Sequence, residues 1–420
     1  MSRTHTLLFG AFLCLLSFGS RAESNPPDDL PPHEQVDQAL DQHPGVSNAR
    51  TRLKIEQIQQ QIREGGEYEF TVRGEVAKDY SVTTKENLRD WEVALERPFR
   101  LPHKVFIDYA IGAQGVKRGE NALGDARHET SRSILHLWFN WQRERAQVAQ
   151  WQQQLNILQQ QALMTEKRVK AGDAPRMELN QVNATAAMAN VTLQQAQLRS
   201  DLAANELVRQ FASITLPPDI PAIEPQPIPH NIEYWRQVIT QNNHELGMIQ
   251  AERGQQEKLA DRARAERIPD PTLGLRYASQ LNGSQKISGV YFSIPVGYSH
   301  RSSLATNAEL SAQIAADQEK ALRVRLDADI YTAYTQAVNN YQIWNQARDA
   351  ALALRQNADL VARAYSLGES SLGETLVARR QALEASLAEN IARLDANETR
   401  YRLLLDAHQL WVDNDPHEAH

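Results

Sequence analysis

The chain has 420 residues, a formal net charge of −7, 41% hydrophobic residues and one cysteine. An acidic balance of this kind argues against nucleic acid as a partner, and a single thiol excludes an internal disulfide or a cysteine-built metal centre. Length alone would accommodate two or three ordinary domains.

The first residues predict a secretory leader over 1–22. Arg3 gives a positive start, Leu7 to Phe18 an apolar stretch and Ser20-Arg21-Ala22 a cleavage region, too short and wrongly flanked for a membrane-spanning helix. Its removal takes Cys14, Arg3 and Arg21, which leaves no thiol and moves the charge from −7 to −9. Leu13 precedes Cys14 where a lipid anchor would need a small residue. After Ala22 no apolar run approaches the roughly 18 residues of a membrane helix. Any entry into a membrane is therefore as strands.

The mature chain reads as one plan written twice: helix, two strands, a very long helix, a glycine break, a helix. The first copy spans 23–215 and the second 231–420. Between them lies an extended linker, 216–230, with prolines at 217, 218, 221, 225, 227 and 229 and correspondingly few amide donors. The glycine breaks match: Gly172 precedes Glu178 by the same six steps that separate Gly368 from Glu374, and 172 to 368 is an interval of 196. The strand-to-helix junctions ending in Leu101-Pro102 and Ile294-Pro295 lie 193 apart, from 102 to 295. A repeat of this size decides the fold.

In the first copy Tyr68, Phe70, Val72, Gly74 and Val76 alternate with polar residues, as do Trp91, Val93 and Leu95. In the second, Leu273, Leu275 and Tyr277 alternate, then Val290, Phe292 and Ile294 beyond a turn around Asn282-Gly283-Ser284. Period-two strands of about ten residues fit transmembrane β-strands; a small soluble sheet is the alternative. Four strands cannot close a barrel, and hydrocarbon tolerates no open edge. A membrane reading thus requires copies of the chain to share one barrel. Three copies would supply about twelve strands, within the known range.

The long helices carry heptads. Trp141, Val148, Leu155, Ala162 and Val169 form one seam, with Trp151, Leu158 and Thr165 beside it. Leu326, Ala333, Ala347, Leu354 and Val361, interrupted by Asn340, form another, with Ile330, Ala337, Trp344, Ala351, Ala358 and Tyr365 as companion. A helix from Val105 to Val169 is about 100 Å long at ~1.5 Å per residue. Such helices bury their seams along one another rather than in one round core.

No catalytic constellation is present: no nucleotide-binding glycine loop, no cysteine nucleophile, no His-Glu-x-x-His helix. Gly112-Ala113-Gln114-Gly115 lacks the Lys-Ser/Thr of a phosphate loop and reads as helix packing. The tryptophans 138, 141, 151 and 344 read as seam residues rather than a ligand box. The histidines are scattered, and His417 and His420 read as a solvated tail rather than a metal site. No cofactor is expected. Asp173, Glu178, Glu369 and Glu374 gather at the glycine breaks, where acids either cap first turns or line a mouth.

These residues resemble the TolC-like outer-membrane factors, most closely the cation-efflux (CzcC/CusC-like) branch. The resemblance rests on the doubled element order, the Leu101-Pro102 and Ile294-Pro295 junctions, and the tip pattern Tyr365-x-x-Gly368-x-x-x-Leu372-x-x-x-Leu376, with a looser first tip carrying Arg168, Lys170 and Pro175. The lipidation cysteine of many relatives is absent. The resemblance implies a mainly α protein, not an enzyme: a homotrimer with a shared twelve-stranded barrel in outer-membrane lipid and a helical tunnel across the periplasm. Its tips (Gly172, Gly368, Tyr365, Leu372) would meet a periplasmic adaptor, or membrane fusion protein, and through it an inner-membrane pump. The chain would conduct substrates passively outward, with divalent heavy-metal cations as the cargo of that branch. Glu374, matched in relatives by an acid near the periplasmic mouth, and its repeat partner Glu178 are the gate candidates. Crowded copies of Glu374 would attract cations and raise one another's pKa. The competing reading is a periplasmic coiled-coil adaptor or scaffold without a channel; an exported hydrolase lacks any site.

Overall fold

The structure, a computed structural model, describes residues 28–66, 68–83 and 85–411. The expected leader over 1–22 with Cys14, and the tail histidines 417 and 420, lie outside the described residues.

The first half contains α1 (His33–Gln42), α2 (Pro44–Gly65), β1 (Thr71–Ser81), β2 (Glu86–Pro98), α3 (Pro102–Lys170) and α4 (Arg176–Gln210). The second contains α5 (Ile232–Asn242), α6 (His244–Ala265), β3 (Thr272–Gln280), β4 (Gln285–Ser293), α7 (Tyr298–Ser366) and α8 (Leu372–Asp406). Both long helices have 69 residues and both final helices 35. All four pairs of ends are offset by 196: 102 to 298, 170 to 366, 176 to 372, 210 to 406.

Two details depart from the sequence reading. Pro102 is the first residue of α3, but Pro295 lies three residues ahead of α7, so the proline junctions are not equivalent points. The interval of 193 reflects that displacement. The helix ahead of each strand pair is also two helices, broken at His43 and at Asn243. Each of these residues is extended and caps the helix that follows: the Gly45 amide donates to His43 Nδ1 (3.3 Å) and the Leu246 amide to Asn243 Oδ1 (2.7 Å).

The seams pack as the heptads require. Leu155 and Leu158 of α3 meet Ala189 and Leu193 of α4, with Val148 and Trp151 at the margin. On the other pair, Trp344 packs on Ala392 and Ala396, and Ala358 on Ala378 and Ala382. Alanine on both sides lets the α7 and α8 axes approach closely. The widest core lies midway along α3, where Ile134, Leu135, Trp138, Phe139 and Trp141 meet α1, the end of α4, and Tyr401 and Leu405 of α8. Asp29 is sealed there: its side chain accepts from the Tyr401 hydroxyl (2.8 Å) and its carbonyl from Trp138 Nε1 (2.7 Å). The glycines of the 112–119 segment belong to helix packing, since a Cβ on Gly112 would lie 2.7 Å from Gln60 and one on Gly119 3.1 Å from Leu53.

Contacts set the helices in two tiers. On the strand side α2, α3, α6 and α7 follow one another; on the far side the order is α4, α3, α8, α7. The strands form one antiparallel sheet, β1-β2-β3-β4. Its register places Val72, Leu95, Leu275 and Val290 in one row and Val76 and Trp91 in another, so the apolar residues share a face. That face is the exposed one: Val76 is 84% exposed, Val290 68% and Phe292 75%. The opposite face is polar, and its small residues Ala94, Ala278 and Gly274 are buried among larger neighbours, with the Tyr291 ring over Gly274. There Glu96 accepts from Arg73 (2.7 Å) and from the Tyr291 hydroxyl (2.6 Å). A sheet with its large apolar side chains exposed on one face and its ion pairs on the other is inverted relative to a soluble core. Among the described residues no helix is long and apolar enough to cross a membrane.

Where the sheet joins the helices, charges lock the change of direction. Fully buried Lys104 pairs with Asp270 (3.0 Å) and Glu266 (3.2 Å), while Asp108 receives Arg100 (2.9 Å) and Arg262 (2.8 Å).

At the opposite end of α8, Asp406 would oppose the helix dipole without its partners. Burial acts to raise its pKa, but the hydrogen bond from His128 and the charges of Arg132 and Arg402 outweigh it and hold the carboxyl at about 2. A depressed carboxylate stabilises the fold above the unfolded pKa near 4 and loses that contribution as pH falls through its folded value. Asp406→Asn is therefore expected to cost on the order of 2 kcal/mol at neutral pH, with the deficit shrinking towards pH 2. Thermal melts of the solubilised protein over pH 2–7 measure both.

Candidate functional site

The end remote from the sheet is formed by two helical hairpins, and their turns are built alike. After α3 the Asp173 amide donates to the Arg168 carbonyl (2.8 Å) and the Gly172 amide to that of Val169 (3.1 Å). After α7 Glu369 donates to Ala364 (2.9 Å) and Gly368 to Tyr365 (3.0 Å). Each is a Schellman closure requiring a left-handed residue, and Gly172 and Gly368 supply it at φ 77° and 82°. A Cβ at either glycine would meet nothing within 4 Å, so backbone conformation is the reason for glycine.

The two acids at equivalent repeat positions, 178 and 374, serve different ends. Glu374 closes a capping box with Ser371: the Ser371 amide donates to Glu374 Oε2 (2.8 Å), and the Glu374 amide to Ser371 Oγ (3.2 Å). Ser370 adds a third donor to the same oxygen (2.8 Å). The Ser371 amide, foremost among these, holds the exposed carboxyl below its ordinary pKa. Within one protomer this is opposite in direction to the rise expected from crowding. Pro175 occupies the cap position ahead of α4 and has no amide N–H to donate, so Glu178 is available to its neighbours.

Glu178 enters a clasp between the hairpins. Arg168 donates to the Tyr365 hydroxyl (2.7 Å) and to Asp173 Oδ2 (3.1 Å), and its guanidinium lies 5.3 Å from the Tyr365 ring centroid. The Tyr365 hydroxyl donates to Glu178 Oε2 (3.3 Å). Burial pushes the Tyr365 phenol up and Glu178 adds to this, against Arg168, while the Asp173 hydrogen bond raises Arg168. Both donors thus stay protonated through neutral pH. Above the clasp a cleft between α3 and the α7–α8 pair is lined by Gln154, Gln161, Thr165, Arg355 and Arg379. Arg379, lowered by burial, donates to Gln161 (2.9 Å).

The structure therefore brings Gly368, Tyr365 and Glu178 to one place, with Gly172 on the adjoining turn. Glu374 is held by its own turn, and Leu372 is 3% exposed, so its side chain anchors the start of α8 rather than projecting. Leu367, 68% exposed at the turn itself, projects instead. Sequence reasoning noted Arg168 as a neighbour of the glycine but missed its role. The available signal was the asymmetry of the repeat, which sets Arg168 opposite Ala364 and Tyr365 opposite Val169.

The histidines, scattered in sequence, are not all scattered in space. His128 stacks on His408 with ring centroids 5.3 Å apart, His244 meets His408 edge-on at 4.9 Å, and His128 also reaches Asp406 (3.3 Å). Among the described residues no group of three ligating side chains could hold a metal ion.

No protein-family model and no curated protein sequence matches the chain. Solved structures do. The chain is similar to the CmeC outer membrane channel of Campylobacter jejuni, with a TM-score of 0.70 and 16% identity over 98% of this chain and 94% of that one. It is similar to the outer membrane protein VceC of Vibrio cholerae, with a TM-score of 0.71 and 17% identity over 90% and 95%. It is also similar to the MtrE outer membrane channel of Neisseria gonorrhoeae, crystallised in its open state, with a TM-score of 0.69 and 16% identity over 93% and 91%. At these identities the likeness is one of fold, and it spans nearly the whole length of each chain. These neighbours are channel proteins, not enzymes.

The glycine turns give a direct expectation. Gly368→Ala places a Cβ in left-handed backbone at about 1–2 kcal/mol, so amide exchange at the turn should quicken on the order of tenfold, without change in the α7–α8 seam. Hydrogen-exchange mass spectrometry resolves the two.

Proposed function

We propose that this chain is one protomer of an outer-membrane exit duct that passively conducts substrates delivered from the periplasmic side. The observation that carries the proposal is the inverted sheet: an exposed apolar face, an opposite face that carries the acids, and two edge strands. In water this arrangement exposes what should be buried; in a bilayer it is one stave of a barrel with a wet lumen.

The helices support closure with further copies. On the far tier the edge helices are α4 and α7, and each carries a second heptad left exposed within the protomer. On α4 this is Met177, Ala184, Met188, Val191, Leu198 and Leu202; on α7 it is Ile343, Ala350, Ala353, Leu360 and Leu367. Two unfilled seams on opposite edges suit a head-to-tail ring in which α7 of one copy meets α4 of the next. A trimer with a twelve-stranded barrel is the closure that the fold likeness favours.

The tips, with Gly172, Gly368, Tyr365 and the buried anchor Leu372, form the end that would meet a periplasmic adaptor and its inner-membrane pump. The Arg168–Tyr365–Glu178 clasp ties one hairpin to the other and holds the mouth narrow. Glu374, exposed and anionic, faces that mouth as a second gate group. Divalent heavy-metal cations are proposed as cargo on the sequence resemblance. A scaffold confined to the periplasm would have no use for a sheet with its apolar face outward, which favours the duct.

Planar-bilayer recording tests the reading. The wild-type protein is expected to insert and conduct. Phe292→Arg, with an outward charge costing about 2–4 kcal/mol at mid-bilayer, should insert poorly. Glu374→Gln should reduce cation selectivity; unchanged selectivity would remove Glu374 from the mouth. Absence of conductance from correctly folded wild-type protein would contradict the duct.

A further inference from the structure

The acids of the sheet are sorted by face. In the register of the four strands, Glu75, Asp79, Glu86, Asp90, Glu92 and Glu96 all lie on the polar face, where Arg73 and Arg276 pair with Glu96 and Glu92. Among the described strand residues the apolar face carries no acid. It carries four cations, Lys78, Arg89, Arg97 and Lys286.

Three of these cations sit together within two adjacent rows. Lys78 is the direct partner of Arg89 across β1 and β2. Lys286 lies one step closer to the helices, in the row of Ser279 and Trp91. Arg97 is far away at the helix end, where its side chain donates to the Tyr68 carbonyl (2.7 Å) and lies over the Phe70 ring. The apolar rows occupy the interval between. From Arg97 to Arg89 is eight residues, about 27 Å along the strand at ~3.4 Å per residue, or about 20 Å of membrane depth at the tilt of barrel strands. On its turn-ward side this band ends in an aromatic pair, Trp91 and Tyr277, with ring centroids 5.7 Å apart. The vertical order is thus apolar band, an aromatic girdle that shares its outermost row with Lys286, then Lys78 and Arg89.

The Lys78–Arg89 pairing needs an explanation. Like charges directly opposite on one face of a sheet are destabilising, and both side chains are exposed. Among the described residues Lys78, Arg89 and Lys286 form no ion pair. β1 and β4 are also the two sheet edges. Closing a ring would carry Lys286 of one copy to the strand bearing Lys78 of the next, extending the strip around the barrel. A strip of cations at and just beyond the girdle, at headgroup depth and away from the periplasmic helices, matches anions fixed in the outer leaflet. Arginine meets phosphate with a two-pronged fork and lysine with a point charge.

We propose that Lys78, Arg89 and Lys286 form a strip that binds the phosphate groups of an anionic glycolipid in the outer leaflet. The inference rests on the duct reading, which supplies the membrane and its orientation. The strip fixes the depth and tilt of the barrel from outside, while the acids of the opposite face act on the lumen.

The test compares wild type with the triple variant K78Q/R89Q/K286Q by native mass spectrometry of detergent-purified protein. The probes are bisphosphorylated lipid A, the same lipid dephosphorylated, and inorganic phosphate; R97Q serves as a cation-loss control. Wild type and R97Q are expected to prefer the phosphorylated lipid on the order of tenfold or more, and the triple variant to lose that preference while still inserting and conducting. A triple variant that keeps the preference, or a wild type without one, overturns the inference and leaves the duct standing. Displacement of the lipid by equimolar inorganic phosphate overturns the assignment to a lipid. Wild-type protein that neither enters a bilayer nor conducts overturns both.

Discussion

The open edge is the constraint on which everything else in this molecule depends. β1 and β4 each leave a row of backbone donors and acceptors without partners, and in hydrocarbon each unsatisfied group costs several kcal/mol. The helices repeat the condition in their own chemistry. In both tiers the order runs from a first-half edge, α2 or α4, to α7 of the second half, and the exposed seams along those edges are apolar at heptad spacing. Sheet and helices are therefore unfinished on the same two sides. A duplicated chain produces this naturally, because each half contributes one edge of every layer.

Duplication also explains where the halves differ. The 196-residue offset holds from the start of the long helices to the end of the final ones, since both must span the same distance. Upstream the offset is 200, from Pro44 to His244, and the surplus is absorbed in the strand segments. At the tips the glycines are kept while their surroundings diverge. Pro175 removes the capping box that Ser371 provides, which frees Glu178 for the clasp, and Tyr365 and Arg168 have no counterparts in the other half. Pseudo-symmetry builds the layers, and its breaking concentrates at the helical tips.

Much of the fold was legible because it is written in local periods. Seven-residue spacing identified the seams around Leu155, Leu158, Trp344 and Ala358, and two-residue spacing identified both faces of the strands. Left-handed turns were legible at Gly172 and Gly368. The orientation of the faces was not, since alternation distinguishes two faces without saying which is exposed; the exposure of Val76, Val290 and Phe292 does. Breaks at His43 and Asn243 were missed because one capping residue hardly disturbs a helical pattern, although Pro44 was a usable sign. The clasp and the three-histidine cluster join residues far apart in sequence, such as Arg168 with Tyr365 and His128 with His408. No local period encodes such meetings.

The central claim is that α7 of one copy closes on α4 of the next, and cysteine pairing across that joint tests it most directly. Leu198 lies 22 residues above the start of α4 and Ile343 lies 23 residues before the end of α7, so both stand about 33–35 Å from the tips at ~1.5 Å per residue. Both are exposed within the protomer. The account predicts that the Leu198→Cys/Ile343→Cys double variant, oxidised in its membrane, gives dimers and trimers on denaturing gels with nothing larger, while each single variant stays monomeric. Chains that remain monomeric when oxidised, although inserted and conducting, would contradict it.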